Sequence, residues 1–207
     1  MSRRNKKQSA FAHFLAEWGV FTLMMGLIFL SYLFVWNAVR VDGHSMDPTL
    51  ADEERLVVVK VTPIDRFDIV VAKETDEDGK EKQIVKRVIG MPGDTIRYEN
   101  DQLYVNDQKV EEPYLADYMA KFKEDRLQTT YSYNSFFQRL AQNAQAFTVD
   151  KDGNPSFTIE VPQGEYLLLG DDRIVSKDSR QVGTFKAEQI QGEVKFRFWP
   201  FTKIGTF

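Results

Sequence analysis

Ser45 lies in Val39-Arg40-Val41-Asp42-Gly43-His44-Ser45-Met46-Asp47-Pro48-Thr49-Leu50, a few residues beyond a long uncharged run, and is the first candidate for covalent chemistry. A serine hydroxyl is a poor nucleophile near neutral pH and needs a neighbouring base. The choice of base is narrow, because the chain has no cysteine and only two histidines, His13 and His44. Adjacent residues of an extended segment point to opposite faces, which sets His44 away from the Ser45 hydroxyl and argues against a Ser-His-Asp triad. Arginine does not deprotonate in proteins and a carboxylate is a weak base toward an alcohol, so a lysine made neutral by burial is the base that remains.

The stretch Gln83-Ile84-Val85-Lys86-Arg87-Val88-Ile89-Gly90 reads as a strand. Its alternation places Ile84, Lys86 and Val88 on one face and Val85, Arg87 and Ile89 on the other, so one cation points inward. If that cation is Lys86, desolvation lowers its pKa from about 10.4, and a fall to near 8 corresponds to roughly 3 kcal/mol. Spacing alone does not choose, since most strand lysines are solvated. A third polar stretch, Gly170-Asp171-Asp172-Arg173-Ile174-Val175-Ser176-Lys177-Asp178-Ser179-Arg180, is dense in hydroxyls and charges. Such clusters are usually solvated turns, and nothing in the spacing turns Ser176, Asp178 or Arg180 inward.

These stretches follow a run from Trp18 to Trp36, WGVFTLMMGLIFLSYLFVW, of about 19 residues without a charge, close to what a helix needs to cross a bilayer. Tryptophans at both ends suit the water–lipid boundary. A cleavable signal peptide is the alternative, but Asn37-Ala38-Val39-Arg40 lacks a good small-x-small site, so the run reads as a signal anchor. Arg3, Arg4, Lys6 and Lys7 precede it and only Arg40 follows closely, which keeps the N-terminus in the cytoplasm and places everything after Val39 outside. A formal net charge of -4 and a pI near 5.3 give no pull toward nucleic acid. The lack of cysteine excludes a disulfide framework and a thiolate metal site.

Beyond the anchor, Leu56 to Lys60, Asp68 to Ala72, Thr95 to Tyr98, Gln102 to Val105 and Lys109 to Val110 are short, β-branched and separated by Asp78-Gly79, Pro92-Gly93, Asn100-Asp101 and Asn106-Asp107. Strand character returns at Phe157 to Val161, Glu165 to Leu169 and Val194 to Trp199. Between them, Tyr114 to Leu127 and Ser135 to Phe147 are helix-compatible. The predicted architecture is mainly β around one main core: a single N-terminal transmembrane helix followed by an antiparallel β catalytic domain with a small helix-containing insertion. The boundaries are residues 1–17 for a cytoplasmic N-terminus, 18–38 for the anchor, 39–112 and 158–207 for the two parts of the β domain, and 113–157 for the insertion. Phe198-Trp199-Pro200-Phe201 and Phe207 read as ordinary core or as a surface that dips into lipid headgroups.

Ser45-Met46-Asp47-Pro48-Thr49-Leu50, Lys86-Arg87-Val88-Ile89-Gly90-Met91-Pro92-Gly93-Asp94 and Gly170-Asp171-Asp172-Arg173 through Ser176-x-Asp178-Ser179-Arg180, in this order behind an anchor, resemble the motif boxes of the bacterial type I signal peptidases. The resemblance implies a membrane-bound serine protease with a Ser-Lys dyad that removes signal peptides from exported preproteins on the outer face of the cytoplasmic membrane. It makes Ser45 the nucleophile, Lys86 the general base and Ser176 the hydroxyl that orients the lysine amine. Asp178 and Arg180 become a supporting ion pair, and Val39, Val41, Met46, Val85 and Leu50 line the pockets for small side chains at the first and third residues before the cut. Implied partners are signal peptides, membrane lipid and the secretion translocon, with no nucleic acid, no metal and no other cofactor.

Departures from the family pattern touch the surroundings of these groups. Gly43 stands where some members carry a serine that helps bind the oxyanion, so that help falls to backbone N–H groups at Ser45 and Gly43. Asp172 replaces an asparagine, Glu53-Glu54 stand where Gly-Asp is common, and Phe67 replaces a glycine. Two competing readings remain: a non-catalytic assembly factor for surface fibres, whose relatives tend to lose the lysine present here, and a self-cleaving Ser-Lys regulator.

Overall fold

The computed structural model describes residues 3–75 and 78–207; side chains of residues 1–11, 15 and 16 lie outside that description, and with them the basic groups of Arg3, Arg4, Lys6 and Lys7. So do residues 76 and 77 of the turn that ends in Asp78-Gly79. The chain divides into two compact units, Met1–Asn37 and Ala38–Phe207.

The first unit is the helix α1, Arg3–Phe34, whose segment Glu17–Phe34 has a mean hydropathy of 1.6 and is long and apolar enough to cross a membrane. Its large side chains, among them Phe21, Leu23, Leu27 and Leu30, are exposed. The helix stops at Phe34, short of the expected residue 38. The Val35 amide still closes on the Ser31 carbonyl at 2.8 Å and the Trp36 indole donates to Ser31 Oγ at 3.3 Å, but Trp36–Arg40 is already extended as strand β1. Asn37 and Ala38 therefore belong to a strand, where the β-branched, alternating Val39-Arg40-Val41 leads the chain.

In the second unit the strands β2 (Arg55–Val59), β3 (Ile69–Thr75), β4 (Glu81–Gly90), β5 (Thr95–Glu99), β6 (Gln102–Val105) and β7 (Gln108–Val110) follow the sequence pattern closely. After the insertion come β8 (Ser156–Glu160), β9 (Glu165–Leu169), a four-residue helix, β10 (Phe185–Lys186), β11 (Ile190–Trp199) and β12 (Gly205–Thr206). They form a large sheet of order β1-β2-β11-β3-β4-β9-β10, with β12 on β11, and a small one of order β7-β6-β5-β8. The single main core expected from the sequence is instead split. Gly90 ends β4 where a Cβ would stand within 3 Å of Val161, Ile96 and Leu167, so only glycine lets the chain pass from one sheet to the other. One core packs Val41, Met46, Leu50, Leu56, Val58, Ile69, Val71 and Val194; another packs Ile89, Ile96, Tyr98, Leu103, Leu167 and Leu169.

The insertion contains a 3-10 turn at Pro113–Leu115, α2 at Ala116–Asp125 and α3 at Ser135–Asn143, both helices shorter than predicted. α2 ends at Arg126, whose backbone is left-handed (φ 57°), and α3 starts at Asn134, whose side chain accepts from the Phe136 and Phe137 amides at 3.0 and 3.3 Å. The predicted boundary between residues 157 and 158 falls inside β8, which pairs with β5 and belongs to the small sheet. The insertion has its own core of Leu115, Tyr118, Phe122, Leu127, Tyr131 and Phe147, and Ile174 and Val175 of the third polar stretch pack against it.

Candidate active site

Ser45 sits in a tight turn anchored from below. Met46 and Leu50 are fully buried in the first core, the Leu50 amide donates to the Met46 carbonyl at 2.9 Å, and the Asp47 amide to the His44 carbonyl at 3.2 Å. Gly43 turns the chain with φ +88°, a conformation that costs a residue with a Cβ, and its N–H donates to Asp52 Oδ1 at 2.9 Å. That bond takes the Gly43 amide away from the oxyanion role assigned to it. The His44 ring turns to Asp47 Oδ2 at 3.0 Å and packs on Tyr133 and Phe137, with ring centroids 5.1 and 6.0 Å away. The Ser45 carbonyl is held by the Asp172 amide at 3.1 Å.

β4 lies inside the large sheet, paired with β3 on one side and β9 on the other. Both of its adjacent cations are buried, Lys86 at 3% and Arg87 at 7% exposure, so the expectation that only one points inward is corrected. From Lys86 to Gly90 the strand is covered on both faces, so side chains of either parity are buried there. What separates the two is their partners. Arg87 makes a two-pronged pair with Asp171 (Nε–Oδ1 2.9 Å, Nη2–Oδ2 2.6 Å), donates to the Phe67 carbonyl at 2.8 Å and lies 3.9 Å from the centre of the Tyr114 ring. Lys86 Nζ donates to Ser45 Oγ at 2.6 Å. Burial disfavours its charge and pushes its pKa down to about 8, with the negative charges of Asp178 and Glu74 holding it from falling further.

The third polar stretch is buried rather than solvated. Asp178 caps the short helix α4, Ser179–Val182, and pairs with Arg180 through Nε–Oδ1 and Nη2–Oδ2 contacts of 2.9 Å each. Asp178 Oδ2 also accepts from the Gly170 amide at 3.0 Å. Burial opposes its charge, but Arg180 and that amide outweigh burial and hold the carboxyl below the usual carboxylate range. Ser176 lies beside Gly170, close to the turn of Ser45, yet its buried Oγ forms no hydrogen bond among the described residues. The expected bond from this hydroxyl to the Lys86 amine is not formed; the amine donates to Ser45.

Beside the Ser45–Lys86 pair opens a cleft of about 320 Å³, lined by Val39, Val41, Met46 and Val85 together with charged residues such as Asp42, Glu74 and Lys82. Leu50 does not reach it; with no exposed surface it packs in the core beneath. Sequence reasoning missed Arg173, fully buried, which donates to the Gly170 carbonyl (2.9 Å), the Tyr98 hydroxyl (2.8 Å), Glu112 (2.6 Å) and the Thr148 hydroxyl (3.3 Å), and so ties the small sheet and the insertion to this loop. It also missed Tyr131. The density of charge in Gly170-Asp171-Asp172-Arg173 was the available signal for Arg173; a tyrosine at a distance of 41 residues from its partner gave none.

The chain is 65% identical over 204 residues to a signal peptidase I of Streptococcus pneumoniae strain R6, covering 95% of this chain and 98% of that one. It is 39% identical over 195 residues to a signal peptidase IB of Staphylococcus aureus strain Mu50, covering 92% of each. A crystal structure of a signal peptidase I from Enterococcus faecalis V583 aligns with 64% of this chain and 97% of its own at 27% identity and a TM-score of 0.44. The model of the family described as signal peptidase, peptidase S26, matches residues 15–199, and the chain belongs to that family.

Proposed function

We propose that this chain is a membrane-anchored serine endopeptidase that removes N-terminal signal peptides from exported preproteins at small-x-small sites. The observation that carries the reading is the 2.6 Å approach of Lys86 Nζ to Ser45 Oγ within a site where Lys86 is 3% exposed. A lysine with its pKa near 8 is neutral in a useful fraction at ordinary pH and can take a proton from the hydroxyl it touches.

In the reaction, neutral Lys86 accepts the Ser45 proton as Oγ attacks the scissile carbonyl, and the Ser45 N–H stabilises the developing oxyanion. The ammonium then protonates the leaving amine as the acyl bond to Ser45 forms. Lys86, neutral again, activates a water that releases the signal peptide. The substrate binds extended, adding a strand between Val39–Val41 and Val85, with alanine-sized side chains entering the cleft over Met46. The helix α1 serves as the anchor, with the N-terminus in the cytoplasm and the remainder outside. About eleven residues from the end of α1 at Phe34 to Ser45 span at most ~36 Å, which tethers the site to the membrane from which signal peptides emerge, beside the secretion translocon.

Cleavage of a preprotein carrying an Ala-x-Ala site by detergent-solubilised protein tests this. Wild type should cleave; Ser45→Ala and Lys86→Ala should each lose essentially all turnover. Full turnover by either variant would overturn the dyad, and an assembly role would leave the activity of Ser45→Ala intact.

A further inference from the structure

We propose that the insertion sets the position of the nucleophile through a Tyr131–Asp172 tether, which makes both of these positioning residues for Ser45. The inference rests on the Ser45–Lys86 reading above and gives the insertion a part in it.

Asp172 is fully buried and is bound in three directions. Its amide donates to the Ser45 carbonyl at 3.1 Å, its carbonyl accepts from the Ser176 amide at 3.0 Å, and its carboxyl Oδ1 accepts from the Tyr131 hydroxyl at 2.6 Å. The other carboxyl oxygen is buried with no hydrogen-bond partner among the described residues. Tyr131 is fixed in turn. It is fully buried in the insertion core, edge-on to Tyr118 at 6.5 Å and to Phe137 at 5.7 Å between centroids. The path from the insertion to the attacking residue is thus one side-chain bond followed by one main-chain bond.

Without the Tyr131 hydroxyl, a buried carboxyl would have lost the side-chain bond that fixes it, and a polar group left in that state shifts to find a partner. The main chain of Asp172 moves with it, and the Ser45 carbonyl follows the amide. The groups facing this carboxyl are the tyrosines Tyr118, Tyr131 and Tyr133 of the insertion, Asp47 of the nucleophile turn with its partner His44, and the amides of Ile174 and Val175. Burial pushes the Asp172 carboxyl up to about 7, and the Tyr131 bond restrains that rise. Attack geometry is sensitive to such shifts, a displacement of about 1 Å costing on the order of 100-fold in rate.

The test uses the full chain in detergent on the Ala-x-Ala preprotein, with melting followed in parallel. Tyr131→Phe keeps the ring and removes the hydroxyl; its kcat should fall about 10-fold or more while KM stays within about two-fold, because the substrate cleft is untouched. Tyr104→Phe, on β6 of the small sheet, should keep both. Asp172→Asn retains an acceptor for Tyr131 and should lose less kcat than Asp172→Ala, and Tyr131→Phe should add nothing to Asp172→Ala. Wild-type kcat in Tyr131→Phe, or losses that multiply in the double variant, would overturn the tether, as would a lowered melting temperature with unchanged kcat. If Tyr131→Phe did not fold, equal kcat in Asp172→Asn, Asp172→Ala and wild type would overturn it instead. Should Ser45→Ala still cleave, the underlying dyad fails; should Ser45→Ala be dead and Tyr131→Phe fully active, only the tether fails.

Discussion

A Cβ placed on Gly170 would stand 2.4 Å from the carbonyl oxygen of Ser45 and 2.2 Å from Ser176 Oγ. The end of β9 and the nucleophile turn therefore meet backbone to backbone, and a carbonyl cannot swing aside as a flexible side chain can. Gly170→Ala should push Ser45 away from Lys86 and lower kcat by about 100-fold or more, with a folded protein remaining. Single-turnover cleavage with a melting curve checks this; wild-type kcat would show that the turn has slack.

Lys86 makes the protein less stable than an apolar residue would. Below about pH 8 the folded state holds an ammonium in a dry site, and its pKa lies under the unfolded value of about 10.4. Between those values the unfolded chain binds more protons, so wild-type stability rises with pH across that window, by up to ~3 kcal/mol. Lys86→Met should melt higher than wild type at pH 7, less about 1 kcal/mol for the lost bond to Ser45, and the advantage should shrink above about pH 8. Thermal unfolding at two pH values measures it.

Asp178 acts on both stability and reactivity. Its charge favours the protonated form of Lys86, so Asp178→Asn should lower the lysine pKa and move the rising limb of the pH–rate curve toward acid by up to about one unit. It also strands the buried Arg180 guanidinium, which typically costs about 3–5 kcal/mol. A shifted limb with a lowered melting temperature is expected; an unshifted limb would mean that Asp178 serves the loop alone.

The cleft makes a prediction about selectivity. Val39→Ala or Val85→Ala widens the wall, and the preference for alanine over valine at the third residue before the cut should weaken by about 10-fold, the scale of one or two methylenes in a hydrophobic pocket. Leu50→Ala, in the core below, should lower stability by about 2–5 kcal/mol and leave that preference alone. Competition between paired substrates distinguishes the two.

The strands were legible because their β-branched runs are short and punctuated by turn residues, and Ser45 stood out as a candidate because it lies just beyond an apolar run without a usable histidine. Lys86 could not be separated from Arg87 by alternation, since β4 is covered on both faces and the distinction lies in partners: Asp171, 84 residues away, for one and Ser45 for the other. That the Gly43 amide is already satisfied by Asp52 was not legible, nor that Leu50 packs in the core, because apolar character does not tell a pocket wall from the core beneath it. Glu53 and Phe67, where the family pattern has glycine, keep the left-handed backbone with φ 70° and 72°, so those loops hold a glycine-like shape without glycine. Contacts such as Tyr131 with Asp172 leave no local pattern at all.

The measurement closest to the centre of the account is the single-turnover acylation rate of the wild-type protein from about pH 6 to about pH 10. One proton on Lys86 should govern it: the rate climbs about 10-fold per unit at the acid end, bends near pH 8 and then levels. A rate that is flat across this range, or that climbs without bending up to about pH 10 as for a solvated lysine, would contradict a buried neutral amine as the base.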